Sequence, residues 1–465
     1  MAKDADAPPR PAGFKGQFGW ISYEMAGGPY FNLIRIFVFA PYFASGLIGD
    51  KVRGQELWGY VEGLSGLAVA LLAAPLGAMA EAYGPRKPGM VLFTLILIGG
   101  VFFLWTGAPG TSPVPIMIAL VISAAVAEFA FLYHNSMLAL IAPTSRIGFI
   151  SGLGYSANYL GTLIIILPWL VFIGNAGVPP FGLDRATSEE VRIVGPIAAV
   201  FFFICALPFF IWTPDMKRLG PSPLRAVGLG LANLARTLSN ARHYSNITRY
   251  LIARMIYYDG LVATYTFTGI FAAGVFNWSP AEVAVYGLVV FSILVFAGVL
   301  GGLLDDIIGS KLTILIGLFV VMSTLVFALG LGTDHMLYSR TVTPEENAVG
   351  LPIVGPLFTS LGFTRFTEQA FVLTGVIGGV FLGPALASSR TMLARLAPTN
   401  MMAEFFGIYT LAGKATSFVA PLTIAFVTRL THDLRLGFAV VIVFIAAGFV
   451  GLIGVREERS IAADR

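Results

Sequence analysis

Residues 77–87 read GAMAEAYGPRK, and residues 302–311 read GLLDDIIGSK. Gly77, Glu81, Gly84 and Arg86 coincide with Gly302, Asp306, Gly309 and Lys311 at a constant offset of 225. Each stretch joins two long apolar runs. Two more coincidences follow the same order. Met137, Leu138, Ala139, Ala142, Pro143, Thr144 and Gly152, in MLALIAPTSRIGFISG, recur in MLARLAPTNMMAEFFG at an offset of 255. Tyr23, Glu24 and Tyr30 match Tyr258, Asp259 and Tyr265 at an offset of 235. One such agreement could be chance. Three in order mark a tandem duplication, with a longer loop near 334–366 in the second half.

Outward from these loops, apolar runs fall at roughly 18–46, 57–82, 88–107, 113–134, 148–173, 194–213, 246–274, 281–303, 311–332, 367–388, 403–428 and 435–455. Each can cross the roughly 30 Å hydrocarbon core of a bilayer, which takes about 20 apolar residues. The composition agrees. The 465 residues are 57% hydrophobic and 12% charged, against about 25% charged in soluble domains, and the mean hydropathy is +0.82. The expected fold class is an all-α integral membrane protein of twelve transmembrane helices, built as two six-helix pseudo-repeats. Its parts are a cytoplasmic tail over 1–17, a helical bundle over 18–213, a cytoplasmic linker over 214–245, a second bundle over 246–455 and a tail over 456–465. In the linker, Leu224, Val227, Leu231, Leu234 and Leu238 give one apolar face. That suits a helix on the inner membrane surface or one packed on the protein.

Both termini are expected in the cytoplasm. That placement puts most loop lysines and arginines inside, among them Arg86, Lys87, Lys217, Arg218, Arg225 and Lys311. The N-terminal residues lack the charged start, apolar run and cleavage site of a signal peptide. The lone Cys205 excludes an internal disulfide. The four histidines His134, His243, His335 and His432 show no zinc-ligand spacing. No cofactor, metal or nucleic acid is implied, and no catalytic motif points to an enzyme.

A charge at mid-membrane costs about 2.5–3.5 kcal/mol, so each needs a reason. Glu24 and Arg35 lie in the first span, Glu62 in the second, Glu128 in the fourth, Arg254 and Asp259 in the seventh, and Lys414 in the eleventh. Asp259, Lys414, Glu24, Arg35 and Glu128 are the candidates for substrate binding or proton coupling, with Asp259 and Lys414 as a pair. The alternative for each is a structural ion pair. Glu62 and Arg254 read as near span ends, where snorkelling to water suffices. His134 reads as a headgroup-level histidine, and Glu404 as a helix-dipole partner.

A parallel duplication of six spans is the construction of the major facilitator fold. The Gly-x-x-x-acid-x-x-Gly-x-basic loops resemble the signature cytoplasmic loop of that superfamily. Their glycines would permit tight turns and close helix approach, and their basic residues would hold the loop at the headgroups. On this reading Gly77, Glu81, Gly84, Arg86, Gly302, Asp306, Gly309 and Lys311 serve gating. The stretches SYEMAGGPYFNLIRIFVFAPYF (22–43), LWGYVEGLSGLAVALLAAPLGAMAEAYGPRKP (57–88), RMIYYDG (254–260) and FFGIYTLAGKATSFVAPL (405–422) resemble the bacterial "unknown major facilitator" family. That family is similar to the autophagy-related vacuolar effluxers, which are linked to amino-acid export. The first motif departs from the family's Asp-Trp, reading Glu24-Met25.

The resemblance implies that spans one, four, seven and ten line a cavity, that two, five, eight and eleven flank it, and that the other four are peripheral. The leading reading is a monomeric secondary active transporter of the cytoplasmic membrane, proton-coupled or facilitative, moving a small polar or zwitterionic solute such as an amino acid or short peptide by alternating access. The competing classes are a lipid or amphiphile flippase and a non-transporting assembly factor.

Overall fold

A computed structural model describes residues 12–141, 147–174, 180–216, 228, 244–338, 340–396, 409, 412–413 and 415–457. The long apolar runs are helices α1 (Phe14–Pro29), α2 (Lys51–Tyr83), α3 (Lys87–Phe103), α4 (Pro113–Ser136), α5 (Ile147–Trp169), α6 (Val194–Trp212), α7 (Ser245–Phe276), α8 (Pro280–Ile308), α9 (Ser310–Leu329), α10 (Phe366–Leu396), α11 (Val419–Thr431) and α12 (Leu434–Ile453). Among the described residues, ten helical segments are long and apolar enough to cross a membrane, and two shorter apolar stretches are Pro280–Leu294, within α8, and Val419–Thr431. Prolines open α4 and α8, where the missing N–H costs nothing. Ser279 and Glu282 add a reciprocal cap to α8. The linker's apolar face and Glu404 lie outside the described residues.

Packing repeats with the sequence. α1 packs on α6 as α7 packs on α12, α3 on α4 as α9 on α10, and α2 on α4 as α8 on α10. The first span is 78% buried and the third 28%, as expected of an inner and a peripheral helix. Across the halves, α2 meets α11 along Gly59, Gly63 and Gly66. A Cβ on Gly59 would come within 2.7 Å of Ala425 Cβ, and one on Gly66 within 2.8 Å of the Phe418 nitrogen. Small residues are what allow two membrane helices this close. Gln55 Nε2 fastens the seam by donating to Thr428 Oγ1 at 2.8 Å and to the Leu434 carbonyl at 3.0 Å.

The repeated loops correct part of the sequence reading. Gly77 lies inside α2, and among the described residues a Cβ there meets nothing nearer than Leu132 Cδ2 at 4.0 Å. Gly302 lies inside α8. Neither sits at a turn. The turn glycines are Gly84 (φ +103°) and Gly309 (φ +91°), in a region L side chains avoid. Arg86 does not reach to the headgroups. It is buried, and its Nε donates to Ser136 Oγ at 2.6 Å.

Each loop is instead held by a carboxylate arriving from the end of its own half. Asp215, after α6, accepts the Arg86 and Lys87 N–H groups at 2.9 and 3.1 Å. Glu457, after α12, accepts those of Ser310 and Lys311, both at 3.0 Å. A negative charge there complements the N-terminal dipoles of α3 and α9. The lysines match too: Lys87 Nζ donates to the Phe210 carbonyl at 2.9 Å, and Lys311 Nζ to that of Ile453 at 2.8 Å. Glu81 and Asp306 lie on α2 and α8.

Candidate transport cavity

The first span changes its winding at the site. After α1, residues Tyr30–Phe37 form a π-helix, and Phe43–Leu47 form another. Pro29 withdraws one N–H from the ladder just before the first of these. A π-helical stretch re-aims side chains and often marks a functional site. Here it carries Asn32 and Arg35.

Arg35 gathers two acids from neighbouring helices. Its Nε donates to Glu62 Oε1 at 3.1 Å, and its Nη2 pairs with Glu62 Oε2. Its Nη1 stands 3.6 Å from Glu128 Oε1. The planar fork suits a bidentate pair, which fixes orientation as well as charge. Glu62 is 6% exposed on its side chain, so it is an ion-pair partner and not a snorkelling residue. One turn earlier, Asn32 Nδ2 donates to Thr162 Oγ1 at 2.7 Å. Its Oδ1 accepts from the Tyr265 hydroxyl at 3.3 Å. One asparagine thus joins the π-helical stretch of the first span to α5 and α7, and with them the two halves.

Asp259 faces the same space from α7. These groups line a cavity of about 230 Å³ between the halves. Arg35, Asn32, Glu62, Ser65 and Glu128 come from the first half. Asp259, Tyr258 and Thr266 come from the second, with Gly413 and Ser417 from the chain leading into α11. Thr416 and Arg254 are polar neighbours of Asp259. Arg254 is buried rather than snorkelling. It stacks over the Tyr409 ring at 3.4 Å and the Tyr258 ring at 4.6 Å, and its Nη1 donates to the Tyr409 carbonyl at 3.0 Å. Cation–π contact substitutes in part for water.

The sequence candidates therefore separate. Arg35, Glu128 and Asp259 meet in the cavity. Glu24 does not line it: its Oε1 stands 3.4 Å from His134 Nδ1. His134 is wholly buried, not at headgroup level. Lys414 lies outside the described residues. α2 and the α11 segment contribute lining, whereas α10 supplies none among the described residues. The expected division into lining and flanking spans is corrected to that extent, because the α2–α11 seam brings both helices to the cavity wall. Sequence reasoning missed Asn32 and Ser65. Uncharged polar residues in an apolar run cost little to bury, so they gave no signal beside the charges. Among the described residues, no cluster of three His, Cys, Asp or Glu is placed to hold a metal.

A family model described as "Vacuole effluxer Atg22 like" matches residues 142–465. The chain belongs to the Atg22-like family. It is a multi-pass membrane transporter of the major facilitator type. A relative in Bacillus subtilis, an uncharacterized MFS-type transporter, is 22% identical over 96% of both chains. Autophagy-related protein 22 of Yarrowia lipolytica is 24% identical over 64% of this chain, and the match spans 48% of that protein. These relatives are transporters and effluxers, not enzymes. The fold also matches solved structures. A D-xylose-proton symporter superposes with a TM-score of 0.64 at 14% identity, covering 95% of this chain and 96% of that one. A POT family transporter in complex with 5-aminolevulinic acid gives 0.63 at 13%, covering 96% and 98%.

Proposed function

We propose that this transporter moves a small polar or zwitterionic solute across the cytoplasmic membrane by alternating access, coupled to protons at Asp259. The observation that carries the reading is the cavity itself. It lies between the two halves and takes charged side chains from both. Its volume falls below the roughly 300–1,000 Å³ of drug-sized pockets, which favours a solute of amino-acid size over a lipid. Of the described lining residues that carry charge, Arg35 is the cation and Glu62, Glu128 and Asp259 are the acids. That balance favours a solute bearing an amine. The solved neighbour bound to 5-aminolevulinic acid supports this size and charge class.

Both termini are placed in the cytoplasm, and the hairpin-bearing loop near 334–366 outside. The α2–α11 seam then forms the closed outer gate. Asp259 binds the coupling proton, with Lys414 as its charge partner, and no cofactor takes part. The test is uptake into liposomes of a panel of labelled amino acids and dipeptides under an imposed proton gradient. Uptake of at least one member is expected. Asp259→Asn should abolish accumulation against a gradient but spare exchange between equal pools, which needs only the loaded transition. Concentrative uptake by a well-folded Asp259→Asn protein would refute the coupling role.

A further inference from the structure

His134 ends the fourth span in an aromatic box. Its ring stacks on Trp20 at 4.4 Å and on Tyr23 at 4.9 Å, with Phe131 and Phe209 at the edges at 5.7 and 5.6 Å. Its two nitrogens have different partners. Nε2 is 3.0 Å from the Trp20 carbonyl oxygen. A carbonyl accepts only, so Nε2 carries a hydrogen and donates. The Trp20 indole returns a bond to the His134 carbonyl at 3.1 Å, which fixes the ring's orientation. In neutral imidazole one nitrogen donates and the other accepts. Nδ1 would therefore be a lone pair, and it faces the Glu24 carboxylate at 3.4 Å.

Two acceptors facing each other at this distance repel. Nδ1 makes no hydrogen bond, even to the Glu24 oxygen, and an unmet buried polar atom costs about 1–3 kcal/mol. A proton on Nδ1 turns the repulsion into attraction between an imidazolium and a carboxylate. We infer that Glu24 and His134 form a proton-binding dyad that holds one shared proton, separate from the cavity and from Asp259.

The neighbouring charged and polar groups are engaged elsewhere. Tyr23 is in ring contact, but its hydroxyl is engaged with Thr94 Oγ1 at 2.7 Å. Lys87 Nζ lies 5.7 Å from the Phe209 ring centre and is fastened to the Phe210 carbonyl. Arg86 is engaged with Ser136. On α6, Cys205 presents its carbonyl to Ser22. From α5, Gly154 lets the carboxylate arm lie close, since a Cβ there would come within 3.1 Å of Glu24 Cγ. Asn158 holds the Glu24 carbonyl at 3.2 Å. The duplication supplies a contrast. At the offset of 255, His134 corresponds to Ser389, whose hydroxyl meets Tyr257 at 2.7 Å. The second half fills that position with a group that does not titrate near neutrality, so the dyad belongs to the first half alone among the described residues.

The inference does not rest on transport, and its test reads the purified protein. Side-chain nitrogen NMR of protein labelled at its four histidines, with His134→Asn to assign the signal, follows each ring nitrogen at neutral pH. Expected are an Nε2 that carries hydrogen and an Nδ1 shifted by a bound or bridging proton. In Glu24→Gln the Nδ1 signal should lose that shift and move to the free-acceptor position, with Nε2 unchanged. Where Glu24→Gln does not fold, Glu24→Asp shortens the arm and should weaken the Nδ1 shift in the same sense. An Nδ1 signal that is the same in wild type and the Glu24 variant would overturn the proposal. So would a wild-type His134 with hydrogen on Nδ1 and none on Nε2.

Discussion

The two halves share an ancestor in sequence and a packing plan, yet they neutralise buried polarity in different ways. In the first half, ions are matched with ions. Arg35 is gripped by Glu62 and Glu128, and Glu24 faces His134. In the second half, at corresponding depth, tyrosine and serine hydroxyls take over. Tyr250 and Tyr257 close on Ser389, and Arg254 rests on aromatic faces. Among the described residues, Asp259 makes no ion pair. A carboxylate gripped by a bidentate guanidinium is held in one state, whereas one outside such a grip changes state at less cost. The first half is therefore read as the one that shapes the cavity, and the second as the one whose acid switches.

The largest expected effect tests that division. Arg35→Met leaves the buried Glu62 carboxylate without its cation, and breaking such a pair typically costs about 3–5 kcal/mol. Melting curves should show that loss, together with loss of uptake. Asp259→Asn breaks no ion pair among the described residues, so its melting temperature should fall by less than that of Arg35→Met while accumulation fails. Equal destabilisation by both substitutions would erase the contrast between a structural and a switching half.

The next effect lies at the seam. Gly66→Leu drives a side chain into the Phe418 backbone, and overpacking of this kind costs about 1–3 kcal/mol. Because the clash falls between halves, exchange should slow as well. Gly77→Ala is the control. Among the described residues its Cβ would meet only an ordinary contact at 4.0 Å, so stability should hold within about 0.5 kcal/mol. A Gly77→Ala protein as impaired as Gly66→Leu would return Gly77 to a gating role.

At the repeated turns the halves should behave alike. Gly84→Ala and Gly309→Ala each force a Cβ into a positive-φ conformation, at about 1–2 kcal/mol. Matched losses in the two variants are expected from thermal unfolding. A large loss in one alone would show that the loops have diverged in structure despite their shared glycines.

Much of this was legible beforehand, for physical reasons that differ by residue. Apolar length alone gave the spans, because lipid leaves few alternatives to a helix. The glycine–acid–basic loops gave the duplication. Arg35, Glu128 and Asp259, which line one cavity, stand out in the sequence because a membrane charge is costly enough to need a use. Depth was less legible. Glu62, Arg254 and His134 all read as near water, since distance from a span end says nothing about which face of a helix is covered. Gly77 was misread for a similar reason: the shared glycine marks the repeat, but the turn begins seven residues later, at Gly84. Partners across the fold, such as Glu24 with His134 or Asp215 with the start of α3, join residues far apart in the chain and have no local signature.

The smallest expected effect concerns the two carboxylates that hold the loops. Glu457 does more than Asp215, because Arg395 Nη1 also donates to it at 2.9 Å while Nη2 reaches Asp305 at 2.8 Å. Burial alone would raise the Glu457 carboxyl. Arg395 and the N–H groups of Lys311 and Ser310 outweigh it and hold the group below its ordinary value of 4.5. A carboxylate depressed in the folded state adds stability that is fully present above the unfolded value and is lost as pH falls through the folded one. Glu457→Gln keeps the shape but removes the charge. At neutral pH it should lower stability by about 0.5–1 kcal/mol, the scale of a helix-end charge. The gap between wild type and variant should then close as the solution is acidified below about 4.5, because the wild type loses the same charge. Asp215→Asn should cost less at neutral pH, since Glu457 carries an added guanidinium bond. A gap that persists unchanged into acid would mean that Glu457 acts through shape and hydrogen bonding, with its charge contributing nothing, and the two caps would then differ in geometry alone.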